Sequence, residues 1–126
     1  YGPGQILNTA MSAVIGIFET QFKKKIPLTI VKPGSQKRDF THIDDIIRGC
    51  YLAFIKGKQD EYMLCSKEQY TILQIAKMFK TKIRFLPQRE GERSSASVPN
   101  NNSLNHLGYI PKIHIKDYIN SYIKEK

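Results

Sequence analysis

The stretch PLTIVKPGSQKRDFTHIDDIIRG, residues 27–49, decides how the chain folds. Leu28 to Val31 is short and β-branched and reads as a strand. Pro33 and Gly34 supply turn chemistry, and residues 38–42 (RDFTH) alternate polar and apolar as a second strand. A helix is expected over residues 43–56, with Asp44 and Asp45 in its first turn, where acids complement the positive end of the helix dipole. Ile46, Ile47, Cys50, Leu52, Ala53 and Phe54 are expected to form its apolar face, and Gly57 to stop it.

Upstream of this stretch, YGPGQ opens the chain as a turn. Ala10, Ala13, Val14, Ile17, Phe18 and Phe22 then recur at helical spacing, predicting a helix over residues 9–25 that closes on three lysines before Pro27. Downstream, EYMLC (61–65) reads as a strand, Thr71 as the N-cap of a helix in ILQIAKMFK, and IRFLP (83–87) as another strand. Residues 88–102 are polar and loop-like. A short helix at 103–107 ends at Gly108, and an amphipathic helix over 114–126 ends the chain. Strands and helices alternate, which predicts a small α/β domain with α+β character.

At 126 residues the chain is one domain's worth, and its 40% hydrophobic and 25% charged residues are those of a globular protein. No apolar run approaches a membrane span. The chain opens inside a turn rather than at Met, so a piece of a longer protein is expected. The formal charge of +9 invites a nucleic-acid reading. The lysines are scattered, however, and outnumber arginines fifteen to five, so no nucleic-acid partner is expected. Cys50 and Cys65 lie in apolar company without CxxC spacing, which points to buried, reduced thiols, a cytoplasmic setting and no metal site.

Catalytic constellations are missing from the pattern: there is no HExxH, no Ser/His/Asp set and no phosphate-cradling glycine loop between a strand and a helix. His42, Asp44 and Asp45 are expected to hold the start of a helix rather than to act as acid and base. Arginine placement stands out instead. Arg38 follows the Pro-Gly turn, and the loop REGER carries Arg89 and Arg93 among acids. The guanidinium is suited to bidentate phosphate contact, so an arginine pair could hold a diphosphate while a carboxylate accepts from ribose hydroxyls. A solvated loop with weak ion pairs accounts for the same residues.

The order of these motifs resembles the extended short-chain dehydrogenase/reductase superfamily. YGPGQ, then PLTIVKPGSQKRDFTHIDDIIRG, then YTILQIAKMF, LPQREGER and LNHLGYIPKI are similar to the C-terminal portion of NAD-dependent nucleotide-sugar epimerases and dehydratases, UDP-sugar 4-epimerases above all. The resemblance implies that residues 1–126 form a nucleotide-sugar substrate-binding domain. NAD and the catalytic Tyr-x-x-x-Lys pair would belong to a Rossmann portion outside this chain. No catalytic, cofactor-binding or metal-binding residue is therefore expected here, and the chain alone is expected to be inactive.

Carried over residue by residue, the resemblance implies that Arg38 and Arg89 contact the diphosphate and Glu92 the ribose. Thr29 and Val31 would flank the base, and Ala13 and Val14 the helix start over the nucleotide. The expected partner is a UDP-sugar or other nucleotide-sugar. The intact enzyme is expected to be a homodimer, and the separated chain to self-associate through an exposed apolar interface. Three departures from the family pattern stand in the sequence: Val31 where an aromatic is common, Lys32-Pro33-Gly34 in place of Gly-Asp-Gly, and Gly16 in place of a proline.

Overall fold

The computed structural model describes residues 1–126 apart from 8, 10, 59, 60, 89, 92–100 and 126. In chain order its elements are α1 (Val14–Lys23), β1 (Leu28–Val31), β2 (Lys37–Asp39), α2 (Ile43–Lys56), β3 (Gln69–Thr71), α3 (Ile72–Met78), β4 (Ile83–Leu86), α4 (Asn102–Leu107) and α5 (Ile115–Lys124). β1 and β4 pair in parallel, Leu28 opposite Ile83 and Val31 opposite Leu86. A parallel pair needs a long crossover, and β2, α2, β3 and α3 supply it. β2 and β3 pair antiparallel, with Arg38 opposite Tyr70. This is the α/β architecture expected from the alternating pattern.

The core lies where α1, β1, α3 and α5 meet. Ile15, Phe18, Leu28, Ile30, Ile75, Phe79, Ile115 and Ile119 are buried together, and the Phe18 and Phe79 rings meet edge-on at 5.9 Å. Strand periodicity puts Leu28 and Ile30 into this core, and so Thr29 and Val31 share the opposite, half-buried face. α3 begins with a full capping box. Thr71 Oγ1 accepts from the Gln74 backbone N–H, and Gln74 Oε1 accepts from Thr71 N–H. Gly108, in left-handed backbone, ends α4.

Several boundaries differ from the sequence pattern. α1 starts at Val14, not residue 9, because local side-chain bonds compete for the backbone ahead of it. Thr9 Oγ1 accepts from Met11 N–H, and Ser12 Oγ accepts from Thr9 N–H. Ala10 lies outside the described residues. The helix ends at Lys23, and Lys25 turns left-handed at φ 55°. Gly16 faces the incoming N-terminal segment, where an added Cβ would stand 2.9 Å from the Ile6 carbonyl oxygen.

β2 ends at Asp39 because the strand-like residues after it pair elsewhere. Tyr1 N donates to Thr41 O, Ile43 N–H donates to Tyr1 O, and Ser66 N–H donates to Thr41 Oγ1. The strand expected at 61–65 pairs with no other strand among the described residues. Side chains of the first turn of α4 hold it instead: Ser103 Oγ donates to Met63 O and Asn102 Nδ2 to Glu61 O. Conversely, β3 is a strand that the pattern hid, because its last residue, Thr71, doubles as a helix cap.

α2 occupies the expected residues but does not bury the expected face. Its buried residues are Asp45 and Gly49. Ile47, Phe54 and Cys50 are exposed, with Phe54 88% accessible. Both cysteines are free thiols, so Cys50 corrects the expectation of burial, whereas burial raises the pKa of Cys65. Gly49 lets the chain at Leu64 and Tyr109 close on the helix: a Cβ there would lie 2.6 Å from Leu64 Cδ2 and 3.0 Å from Tyr109 Cε2. Gly57 caps α2 in extended backbone rather than as a left-handed stop. Among the described residues, no helix is long and apolar enough to cross a membrane.

Candidate functional site

A cavity of ≈ 590 Å³ opens between the start of α1, the outer face of β1 and β2. Ala13 and Val14 lie at its rim because the helix begins there. Thr29 and Val31 form its floor because β1 turns that face away from the core. Arg38 reaches it from β2, and Leu86, the last residue of β4, closes one wall. Five residues singled out in the sequence, Ala13, Val14, Thr29, Val31 and Arg38, thus line one cavity. Arg89 and Glu92 lie outside the described residues.

The turn between β1 and β2 holds this arrangement. Buried Gln36 donates from Nε2 to Val31 O at 3.3 Å, and its own backbone carbonyl accepts from Ile72 N–H. The Gly34 carbonyl accepts from Leu73 N–H, so the start of α3 anchors the turn. Gly34 has φ 79°, a conformation that favours glycine, and an added Cβ would meet Ile30 Cγ2 at 3.0 Å. Arg38 Nη1 donates to Lys37 O at 2.8 Å, which uses one of five guanidinium donors; among the described residues the others make no hydrogen bond. Asp39 Oδ1, also at the cavity, accepts from Ser66 Oγ.

Beside β1, Gln21 of α1 grips Thr29 twice. Its Oε1 accepts from Thr29 N–H at 3.0 Å, and its Nε2 donates to Thr29 Oγ1 at 2.8 Å. Sequence reasoning missed Gln21 and Gln36, because one polar residue on a helix and one in a turn carry no periodic signal. It also missed Tyr1 as a cavity residue. The Tyr1 hydroxyl donates to Ile113 O, and its ring meets those of His42 and Tyr118 edge-on at 5.2 and 4.9 Å.

His42, Asp44 and Asp45 serve structure in three different ways. His42 is buried and caps α2, its Nδ1 accepting from Asp44 N–H at 3.2 Å. Asp44 is exposed at the helix start. Asp45, by contrast, is wholly buried and not merely a dipole-facing acid: its Oδ2 accepts from both Lys112 and Ile113 N–H at 3.0 Å, and Arg48 lies 2.8 Å from Oδ1. Burial alone would raise its pKa, but those two backbone donors and the Arg48 charge overcome that and hold it below its ordinary value.

The spacing Tyr-x-x-x-Lys occurs at Tyr122 and Lys126. The Tyr122 hydroxyl, however, donates to Glu19 O, away from the cavity, and Lys126 lies outside the described residues. Gly2 and Gly4 have positive φ, and the first helix after them, α1, begins only at Val14.

Comparison with known proteins agrees with the fold. The chain is 24% identical over 132 residues to UDP-glucuronic acid decarboxylase 4 of Arabidopsis thaliana, covering 99% of this chain and 29% of the relative. It superimposes on the UDP-glucose 4-epimerase of Thermotoga maritima, solved with UDP-glucose, with a TM-score of 0.89 at 22% identity, covering 98% of this chain and 42% of that one. The UDP-glucuronic acid 4-epimerase of Bacillus cereus, solved with UDP-glucuronic acid and NAD, gives 0.75 at 28% identity, covering 90% and 40%. The chain thus spans well under half the length of these relatives. The family model "NAD dependent epimerase/dehydratase family" matches residues 1–65, more than half of the chain. The chain belongs to the NAD-dependent epimerase/dehydratase family.

Proposed function

We propose that this chain is the nucleotide-sugar-binding portion of an NAD-dependent enzyme, and that the enzyme is an epimerase acting on a UDP-sugar. The observation that carries this reading is the meeting of Ala13, Val14, Thr29, Val31 and Arg38 on one cavity. Apolar walls beside the Arg38 guanidinium suit a ligand with a flat base at one end and phosphates at the other. Arg38 holds the diphosphate, Thr29 and Val31 flank the base, and Arg89 and Glu92, from the chain after β4, complete the grip on diphosphate and ribose. Fixing the nucleotide orients the sugar before any bond changes, and such remote binding energy is available to the transition state.

NAD belongs, on this reading, to a portion of the protein outside this chain, and the chain alone is inactive. Similarity to a UDP-glucuronic acid decarboxylase supports a second reading, a decarboxylase or dehydratase built on the same nucleotide grip. Isothermal titration of the 126-residue chain with UDP, GDP and inorganic pyrophosphate tests the proposal. UDP is expected to bind best, with a shallow dependence on salt because only one diphosphate is neutralised. Failure of all three to bind would overturn it.

Self-association of the separated chain follows from α2. Ile47, Tyr51, Phe54 and Ile55 are 60%, 63%, 88% and 50% exposed along one side of the helix. Such a stripe favours burial against a second copy. Light scattering is expected to find a concentration-dependent dimer that Phe54→Glu converts to monomer. A wild-type monomer at every concentration would contradict this. In the intact enzyme we read a homodimer.

A further inference from the structure

We infer that the end of the domain opposite the cavity is a docking surface for an anionic lipid bilayer, formed by lysines at the ends of α1, α3 and α5. The inference does not depend on the nucleotide reading. The Phe22, Phe79 and Tyr122 rings lie with centroids 5.8, 6.3 and 6.5 Å apart, which brings the last turns of the three helices together. Around these rings stand the three lysines at 23–25, Lys77, Lys80, Lys82 and Lys124, all exposed. The Lys82 carbonyl accepts from Leu28 N–H, so the chain entering β4 adjoins the chain entering β1. The cavity is reached from the other ends of those strands, at Val31 and Leu86.

Segments 22–28, 77–83 and 121–125 carry these seven lysines and one acid, Glu125. Among the described residues none of the seven makes an ion pair. Lysines near helix C-termini offset the dipole, but each end presents only about half a charge. Three helix ends and Glu125 therefore leave more than half of the positive charge uncompensated. Local backbone preference does not account for lysine either: Lys25 and Lys80 have φ 55° and 53°, left-handed positions where glycine is usual. The patch has no arginine fork and no exposed ring on which a base could stack, which disfavours a nucleic acid. Mobile ammonium groups around Ile26, an apolar side chain 46% exposed, suit a fluid layer of anionic headgroups, where attraction needs no fixed geometry.

Co-sedimentation of the chain with lipid vesicles tests this. The wild type is expected to bind phosphatidylcholine vesicles containing about a third phosphatidylserine, less tightly as salt rises, and not to bind phosphatidylcholine alone. The triple variant Lys24→Gln, Lys77→Gln, Lys82→Gln should bind about a hundredfold more weakly, from about fivefold per lysine near an anionic surface. A second triple variant, Lys56→Gln, Lys58→Gln, Lys112→Gln, removes the same net charge after α2 and ahead of α5. It should lose no more than a few-fold, because charges beyond a screening length of about 8 Å contribute little. None of the six positions is left-handed, and urea midpoints close to the wild-type value check that both variants keep the fold. Equal losses in the two triple variants would reduce the effect to net charge and overturn the inference. Absence of wild-type binding to the anionic vesicles overturns it as well, as does tighter binding to single-stranded RNA or to polyglutamate than to those vesicles.

Discussion

Replacing Asp45 with alanine is expected to remove about 3–5 kcal/mol of folding stability, the scale of breaking one partner out of a buried ion pair. In urea unfolding this appears as a lower midpoint with an unchanged slope. The reason is the set of donors around one carboxylate. Its Oδ2 takes the Lys112 and Ile113 N–H groups, which have no helix or strand partner, and its Oδ1 faces Arg48. Arg48 also donates to Ile110 O and lies over the Tyr109 ring at 5.9 Å. Loss of the carboxylate strands two backbone donors and a half-buried guanidinium together, and frees the chain that leads into α5. Asp44→Ala, at the exposed neighbouring position, is the control and should cost only a few tenths of a kcal/mol.

The same residue gives a pH signature. Asp45 titrates below its ordinary value of 3.8 in the folded chain, so folding favours its ionised form. Its contribution is fully present above the unfolded pKa and disappears as pH falls through the lower, folded pKa. The stability gap between wild type and Asp45→Ala should thus narrow on acidification below pH 3.8. A gap that stays constant through that range would show that the lost stability has a cause other than the charge.

Arg38→Ala is expected to weaken UDP binding by about ten- to a hundredfold, the range for hydrogen bonds to a charged partner. Arg38→Lys should fall between, because an ammonium keeps the charge but not the planar fork that meets two phosphate oxygens at once. Uridine, which has no phosphate, should bind wild type and Arg38→Ala alike. Calorimetric titration reads all three. An equal loss for uridine and UDP would place the effect of Arg38 in the fold of β2 rather than at the diphosphate.

How far the sequence carried these conclusions differs from element to element. β1, β4 and the body of α2 were legible because propensity and local pattern agree there: Leu28 and Ile30 alternate with Thr29 and Val31 as a half-buried strand must. The cavity residues were legible only as a motif order. Nothing in Thr29 or Ala13 alone marks a site, and the fold is what brings them beside Arg38. Three things were hidden. The outer face of α2 is as apolar as a core face, so Ile47 and Phe54 read as buried when they are exposed. Asp45 read only as a first-turn acid facing the helix dipole, because its donors, Lys112 and Ile113, lie more than sixty residues along the chain. The residues at 61–65 have strand composition, yet pairing depends on a neighbour, and Ser103 and Asn102 take that place with side chains.

On the proposed function, the cavity between α1, β1 and β2 holds a nucleotide diphosphate. An amide NMR titration of the chain with UDP tests it most directly. Saturable shifts are expected at Ala13, Val14, Thr29, Val31 and Arg38, with a second group in the stretch that carries Arg89 and Glu92. A well-dispersed spectrum that UDP leaves unchanged, or saturable shifts confined to residues away from that cavity, would contradict it.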